Sequence, residues 1–220
     1  MDSDFWIERW HLGHTAFDQG EPHRWLDEHW PSVAVPSGST IFVPLCGKSV
    51  DMVWLADQGY QVVGVELSAL AVESFFDGQR LEPKRRAEGK LEVYSSGPYE
   101  LWCGDLFHLP AAALAGVSAV YDRASLVALP PEMRSRYVDF MVAQLPPATP
   151  WFLITFGYDQ TEMDGPPFSV PLDEVHQLFG QGFDINTLVD ESVIERAAAM
   201  RDRGLSDLAE ALSIVTPTRQ

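Results

Sequence analysis

The chain has 220 residues, with 15 Lys and Arg against 32 Asp and Glu, a formal net charge of −17 at pH 7. A surface this acidic repels phosphate backbones and anionic headgroups, so nucleic acids and membrane surfaces are not expected partners. The sequence has two cysteines, no CxxC pair and no clustered histidines, so neither a disulfide nor a metal site is expected. It has no run of about 18 apolar residues, so no membrane span is expected. The prediction is one cytoplasmic domain over residues 1–220.

The first 30 residues are rich in aromatic side chains and precede the predicted sheet. Four of the seven tryptophans lie here, and the aromatic spacing up to Trp10 predicts a short helix, followed by a second helix near residues 22–29. The simple interpretation is that these rings cover a sheet edge. The alternative is that residues 1–30 fold over a ligand as a lid, with Trp10 and Phe17 in contact with it.

Residues 41–68 have the order of a strand, a glycine-bearing turn, a helix and a second strand. Residues 41–43 and 62–65 are apolar runs typical of buried parallel strands. The second run ends on Glu66, 19 residues after Gly47. An acid at the carboxyl end of a second strand is placed to accept hydrogen bonds from both hydroxyls of a ribose. The segment therefore predicts a nucleoside-containing cofactor at this edge of the sheet.

The turn at residues 44–49 narrows the identity of that cofactor. It holds one glycine and matches neither the G-x-G-x-x-G pattern of dinucleotide sites nor a Walker phosphate loop. A turn with few close backbone approaches better suits a ligand without phosphates, of which S-adenosyl-L-methionine is the common case. A plain strand-helix-strand unit that binds no ligand remains the alternative at this point.

The next elements lead to a second acid at a strand end. Ser68 is placed to cap a helix, and the charged residues 83–90 are predicted to form a solvated loop. Residues 91–94 and 99–103 read as two strands of a hairpin. Asp105 follows them and has two interpretations, an acceptor for an adenine amino group or a cap for the next helix.

The strand predicted at residues 117–121 runs into Asp122 and Arg123. Ligands of open parallel sheets bind at the carboxyl edge, so a charged pair there indicates function. Arg123 is suited to a substrate anion or a cofactor carboxylate through charge-assisted hydrogen bonds, and an ion pair with Asp122 or with an Asp or Glu elsewhere is the structural alternative. A helix is predicted from residue 131 to about residue 145.

The last third of the chain predicts a strand at 151–156, a rigid loop at 164–168 and a helix at 172–179. Two further strands follow at residues 183–189 and 211–216. Two strands after the last helix, rather than another strand-helix unit, predict a closing antiparallel hairpin.

Together these elements predict an α/β fold of the class I methyltransferase type. That class implies for the core, residues 40–216, a Rossmann-like, mostly parallel seven-stranded sheet with helices on both faces and an antiparallel last strand. The sheet ending is the most characteristic part of this prediction.

Four segments resemble the thiopurine S-methyltransferases: WIERWHLGHTAFDQ, VPLCGKSVDMVWLADQGYQVVGVELS, VYDRASLVALPPEMRSRY and DGPPFSVPLDEV. They follow one another between Trp6 and Val175. The resemblance implies an enzyme that moves a methyl group from S-adenosyl-L-methionine to small-molecule thiols, including thiopurines and aromatic or heterocyclic thiols, and releases S-adenosyl-L-homocysteine. It also implies a link to selenium and tellurium species and to tellurite resistance.

The resemblance also implies a set of site residues. The implied cofactor positions are Trp10, Leu45, Glu66 and Arg123, beside Asp105 from the strand-end argument. The implied substrate positions are Phe17, Arg123, Pro166, Pro167 and a C-terminal arginine that aligns to Arg196 or Arg201. Aromatic thiols are acidic enough that no general base is assigned. The nearest candidates for one are Asp18 and Asp122.

Three other functions compete with this one. A noncatalytic protein that binds S-adenosyl-L-methionine, or a methyltransferase with a different acceptor, fits the same cofactor prediction. A nicotinamide-dependent reductase is disfavoured by the one-glycine turn and by the lack of a Tyr-x-x-x-Lys pair, since Met141 stands four residues after Tyr137. No coiled-coil seam is visible, so a monomer is expected.

Overall fold

The structure is a computed structural model that describes residues 3–15 and 18–218. It has an α/β fold with a mixed sheet of nine strands, which confirms the predicted class and corrects the predicted number of seven. By its internal contacts the chain divides into two compact units, residues 1–120 with 144–146 and residues 121–143 with 147–220. The assignment of residues 1–220 to a single domain stays a prediction.

The first unit holds five helices and most of the strands among its described residues. Its helices are α1 (Ser3–His11), α2 (Trp25–His29), α3 (Asp51–Asp57), α4 (Ala69–Gly78) and α5 (Ala111–Leu114). Its strands are β1 (Thr40–Val43), β2 (Gln61–Glu66), β3 (Lys84–Glu88), β4 (Leu91–Ser96), β5 (Tyr99–Cys103) and the first four residues of β6 (Val117–Asp122). Their order in the sheet is β3-β4-β5-β2-β1-β6.

The centre of this unit is parallel, because β1 pairs in parallel with β2 and with β6, and β2 pairs in parallel with β5. Most of their apolar residues are buried, as expected for strands covered on both faces. Carboxyl ends of neighbouring parallel strands share one edge of the sheet. Two backbone bonds mark that edge: the N–H of Cys46 donates to the carbonyl of Val65 at 2.9 Å, and that of Gly104 to the carbonyl of Glu66 at 2.8 Å.

The segment predicted as a solvated loop at residues 83–90 contains the strand β3, so that prediction is wrong. All five residues of β3 are exposed, and the strand pairs antiparallel with β4 at the edge of the sheet. A strand with both faces in solvent carries no alternation of apolar and polar residues. The main chain of β4 determines its conformation, and its charges keep the open edge from pairing with other chains.

The aromatic rings around α2 pack against the first unit's own core. The ring of Trp30 meets the rings of Trp54 and Tyr60 edge-on, with centroids 6.4 and 5.8 Å apart. The indole N–H of Trp54 donates to Oδ1 of Asp27 at 2.8 Å. These contacts make Trp30 part of the core of the first unit, and the interpretation of the aromatic segment as a cover of a sheet edge stays a prediction.

The second unit is built on the antiparallel end of the sheet. Its helices are α6 (Pro131–Gln144), α7 (Leu172–Phe179) and α8 (Ala198–Asp202), and its strands are β7 (Trp151–Gly157), β8 (Phe183–Ser192), β9 (Ala209–Pro217) and the end of β6. The strand β9 lies between β7 and β8 and is antiparallel to both, which confirms the closing hairpin. In the described part of the chain the longest helix, α6, has 14 residues, and none qualifies as a bilayer-crossing segment.

Candidate functional site

Glu66 ends β2 with its carboxylate turned onto the glycine turn that follows β1. Its Oε2 accepts a hydrogen bond from the N–H of Gly47 at 2.9 Å, and its Oε1 accepts one from the N–H of Ser68 at 2.8 Å. The side chain is only 6% exposed. Because a carboxylate accepts about four hydrogen bonds in all, the group keeps capacity for a further donor such as a hydroxyl group.

Burial and the surrounding N–H groups act on Glu66 in opposite directions. Desolvation raises the pKa of this carboxyl group above its ordinary value, and hydrogen bonds from the backbone N–H groups of Ser68, Gly47 and Leu67 oppose that rise. The turn thus favours the charged form of the residue, which is the form that accepts hydrogen bonds on both oxygens.

The turn after β1 has an unusual backbone and an aromatic cover. Gly47 and Leu45 have φ angles of +53° and +44°, in the left-handed region. A Cβ atom on Gly47 would lie 3.1 Å from Cζ2 of Trp10, so the indole packs directly on this glycine. Trp10 is 7% exposed, and Leu45 is half-buried. The structure therefore places Trp10, Leu45 and Glu66 around one turn.

Two free thiols belong to the same region, at Cys46 in the turn and at Cys103 beside Glu66 in the β2–β5 register. Burial is the main cause that raises the pKa of both, and the charge of Glu66 adds to it; for Cys103 the pKa rises to about 11. Neutral thiols are poor nucleophiles. Covalent catalysis by either cysteine is therefore disfavoured.

Asp105 lies past the end of β5 and caps a short 3-10 turn, Leu106–His108. Its Oδ1 accepts a hydrogen bond from the N–H of Phe107 at 2.9 Å, and the residue is exposed. The capping role that the sequence left open is therefore present. Contact of Asp105 with an adenine stays a prediction.

The cap gives a testable difference between two substitutions. Asp105→Ala is expected to lower the free energy of unfolding by roughly 0.5–1 kcal/mol in urea denaturation, since it leaves the Phe107 N–H without its acceptor. Asp105→Ser, which still accepts that bond, is expected to restore most of the loss. Equal destabilisation by both variants would contradict the capping role, and weaker cofactor binding by both would favour the adenine contact.

The N-terminal segment is fastened to the glycine turn by polar contacts. The carboxylate of Asp18, 14% exposed, forms an ion pair with Nζ of Lys48 at 2.9 Å. The N–H of His23 donates to Oδ1 of the fully buried Asp51 at 2.7 Å. As a candidate base, Asp18 is thus already engaged by a cation, and the candidate substrate residue Phe17 lies outside the described residues.

In the second unit, the Asp122 carboxylate is fully buried and bonded on both oxygens. Oδ1 accepts from the N–H of Leu126 at 3.1 Å, and Oδ2 accepts from the hydroxyl of Tyr137 at 2.7 Å. Desolvation raises the pKa of Asp122 from 3.8 to about 6. This arrangement favours a role in holding the loop that carries the half-buried Arg123 over a role as general base.

The loop at residues 164–168, which we call the proline loop, follows β7 in the same unit. Three hydrogen bonds hold it: Phe168 N–H to the Val127 carbonyl at 2.7 Å, the Tyr158 hydroxyl to the Pro167 carbonyl at 2.7 Å, and Arg203 Nη1 to the Pro166 carbonyl at 3.0 Å. Both prolines are half-buried. The candidate substrate residues Pro166 and Pro167 thus belong to a braced loop.

The arginine that contacts the proline loop is Arg203, which the sequence analysis did not select. Arg196 is paired with Glu191 at 2.6 Å and Arg201 with Glu195 at 3.1 Å, and both guanidinium groups are exposed. Arg196 and Arg201 as substrate residues therefore stay predictions. Tyr158 was also missed, although its position directly after β7 follows the strand-end rule that selected Arg123.

The groups around Gly47 suit a nucleoside with a free ribose diol and no phosphates. A buried carboxylate with spare acceptor capacity, a turn with one glycine and an aromatic ring make up this part of the first unit. Among residues 3–15 and 18–218, no three His, Cys, Asp or Glu side chains are grouped closely enough to hold a metal ion. The carboxylate, the one-glycine turn and the aromatic ring therefore fit S-adenosyl-L-methionine.

Comparison with known sequences agrees with this chemistry. The family model described as Thiopurine S-methyltransferase (TPMT) matches residues 1–218. A thiopurine S-methyltransferase of Xanthomonas axonopodis pv. citri is 47% identical over 212 residues, which cover 96% of this chain and 97% of that protein. One from Nitrosospira multiformis is 45% identical over 215 residues, covering 98% of each.

Comparison with solved structures supports the fold. The 1,6-didemethyltoxoflavin-N1-methyltransferase of Burkholderia thailandensis, solved with 1,6-didemethyltoxoflavin and S-adenosylhomocysteine bound, aligns with a TM-score of 0.66. The alignment covers 99% of this chain and 87% of that one at 14% sequence identity. At that identity the likeness concerns the fold alone, which is that of S-adenosylmethionine-dependent class I methyltransferases.

Proposed function

Because the chain belongs to the thiopurine S-methyltransferase family, we propose that it methylates the sulfur atom of thiopurines and of other aromatic or heterocyclic thiols. The methyl donor is S-adenosyl-L-methionine, and the second product is S-adenosyl-L-homocysteine. Selenium and tellurium species are included as acceptors in the proposal, and with them a contribution to tellurite resistance.

The observation that supports the proposal most directly is the Glu66 carboxylate beside Gly47. It is buried at the carboxyl end of β2 and keeps capacity to accept a further hydrogen bond. We assign Glu66 to the ribose hydroxyls, and Leu45 and Trp10 to the enclosure of the cofactor. Trp10 packs on the turn already, which supports its assignment as part of a cover.

We assign the acceptor to the proline loop of the second unit. Pro166 and Pro167 offer apolar surface, and their bonded carbonyl oxygens fix the loop. Arg123 is assigned to an anionic group of the acceptor or the cofactor. Phe17 and Arg196 keep their implied assignment to the acceptor.

The residues of the chain have to bind, orient and exclude water. When bound, S-adenosyl-L-methionine supplies an electrophilic methyl group on a sulfonium sulfur. Holding the acceptor sulfur in line with that carbon is the main task of the protein, because orientation alone lowers barriers by roughly 7–11 kcal/mol. Aromatic thiols lose their proton readily, so the engagement of both Asp18 and Asp122 by other groups of the protein does not oppose the reaction.

We also propose that the protein is a monomer in the cytoplasm. Residues 1–220 form one catalytic domain in this proposal, and small molecules are its only partners. Both cysteines are free, as expected in a reducing compartment. The net charge of −17 disfavours binding to nucleic acids and anionic membranes.

Incubation with labelled S-adenosyl-L-methionine and a panel of acceptors tests the proposal. Thiophenol and a thiopurine are expected to give methyl thioethers by mass spectrometry, whereas the matched oxygen nucleophile phenol gives no methylated product. Selenite and tellurite arms contain an added thiol reductant, which brings selenium and tellurium to the reduced state that accepts a methyl group, and they report volatile methylated products. Cofactor binding without any product would indicate a noncatalytic binding protein, and methylation of phenol alone would indicate a different acceptor class.

A further inference from the structure

Arg134 is a buried arginine in the first turns of α6. Its side chain is 1% exposed, and it is among the largest fully buried side chains of the described residues. Arginine is almost never fully buried unless it is paired, because transfer of its charge out of water is costly. The position of this side chain therefore needs a reason besides packing.

The guanidinium group of Arg134 joins three neighbouring segments. Its Nε donates to the carbonyl of Leu129 at 2.9 Å, and its Nη1 forms an ion pair with Oε1 of Glu174 in α7 at 2.6 Å. Its Cζ lies 5.9 Å from the centroid of the Phe168 ring, within the range of a cation–π contact. The third segment is thus the proline loop.

The bonding of Arg134 is incomplete, which argues against a purely stabilising role. Its Nη2 is buried and has no hydrogen-bond partner. Replacement of a whole buried ion pair by apolar side chains is often neutral or stabilising, so the pair of Arg134 with Glu174 is weak evidence for a role in stability alone. What an apolar side chain does not supply is the fixed geometry among Leu129, Glu174 and Phe168.

Phe168 connects Arg134 to the two prolines of the loop. Its N–H donates to the carbonyl of Val127, and a Cβ atom on Gly165 would lie 2.5 Å from the Phe168 ring, so the ring is pressed against the backbone of its own loop. Displacement of the ring would therefore move Gly165, and with it Pro166 and Pro167.

The charge of Arg134 also acts on Tyr158, a residue that holds this loop. Burial raises the pKa of Tyr158, whose hydroxyl binds the Pro167 carbonyl, and the positive charges of Arg203 and Arg134 are among the influences that oppose the rise. Arg203 holds the Pro166 carbonyl directly. The two arginines therefore brace the proline loop from different elements, α6 and the segment after α8.

We propose that Arg134 is a positioning residue for the methyl acceptor, which fixes the ring of Phe168 and through it the proline loop. The inference rests on the proposed function, because the loop matters to catalysis only if it borders the acceptor. Arg134 acts through Phe168 and does not itself touch the reacting atoms.

Arg134→Met tests this, with Arg136→Met as the matched control, since Arg136 lies two residues further along α6 and is exposed. Arg134→Met is expected to raise the acceptor KM about fivefold while the Kd for S-adenosyl-L-methionine stays within about twofold. Amide exchange at Phe168 is expected to accelerate in Arg134→Met and to match the parent chain in Arg136→Met. If Arg134 served folding alone, Arg134→Met would not raise the acceptor KM while leaving the cofactor Kd unchanged.

Glu174→Gln provides a second, milder variant in case Arg134→Met does not fold. It removes the charge that faces Nη1 and leaves Arg134 in place, so a smaller change in the same two readouts is expected. A lower melting temperature with unchanged acceptor KM and unchanged Phe168 exchange would overturn the proposal. If the parent chain methylates no thiol, the proposed function fails, and the exchange measurement still decides whether Arg134 fixes the loop.

Discussion

The Glu66→Ala variant is expected to bind S-adenosyl-L-methionine at least about tenfold more weakly than the parent chain, because hydrogen bonds to a charged acceptor each contribute about 1.5–3 kcal/mol. The substitution removes the acceptor that we assign to both ribose hydroxyls. It also leaves the N–H groups of Gly47 and Ser68 without their carboxylate partner, so the turn loses its fixed form. Isothermal titration calorimetry measures the change.

Two further variants make this result specific. Glu73→Ala removes an exposed glutamate of α4 that pairs with Arg85 and is expected to leave the Kd unchanged. Glu66→Gln is expected to lose affinity too, because its NH₂ group would face the N–H of either Gly47 or Ser68. A folded Glu66→Ala protein with the parent Kd would reject the ribose assignment.

Asp122→Asn is expected to change how stability depends on pH. The folded chain holds the Asp122 proton more tightly than the unfolded chain, since burial raises the pKa from 3.8 to about 6. The parent chain therefore loses stability relative to the variant as pH rises from about 4 to about 6, by about 3 kcal/mol for a shift of about two pKa units. Urea denaturation of both proteins between pH 4 and pH 8 measures the difference.

Tyr137→Phe serves as the companion variant. The Tyr137 hydroxyl stabilises the charged form of Asp122, so its removal is expected to raise the pKa of Asp122 further and to extend the pH-dependent window upward. The other carboxyl groups are common to all three proteins, so their contributions cancel in the difference. A difference between the parent chain and Asp122→Asn that does not vary with pH would show that burial does not perturb this group.

The arrangement around the glycine turn was predictable because its signals are local. Residues 41–43 and 62–65 are apolar runs, and parallel neighbours share their carboxyl edge, so an acid that ends the second run must lie near the turn after the first. The structure places Glu66 there, bonded to Gly47. No knowledge of distant contacts was needed.

The contacts of the proline loop in the second unit were less predictable, because they join distant parts of the chain. Three arginines stand between residues 196 and 203, and only the folded chain shows that Arg203 reaches Pro166. Arg134 precedes Tyr137 by three residues and Met141 by seven, so the helical period places it on the buried face. Charged residues are normally assigned to the solvent-facing side of a helix, so the sequence analysis did not identify Arg134 as a buried residue.

Leu45 holds a left-handed backbone angle without being glycine, with φ of +44°. Such a conformation costs a residue with a Cβ atom roughly 1–2 kcal/mol. Selection for heat tolerance alone would favour glycine at this position, whereas the cofactor contact that we propose for Leu45 would favour the leucine side chain. The persistence of leucine or its loss among descendants of this chain would therefore record which pressure prevailed in each lineage.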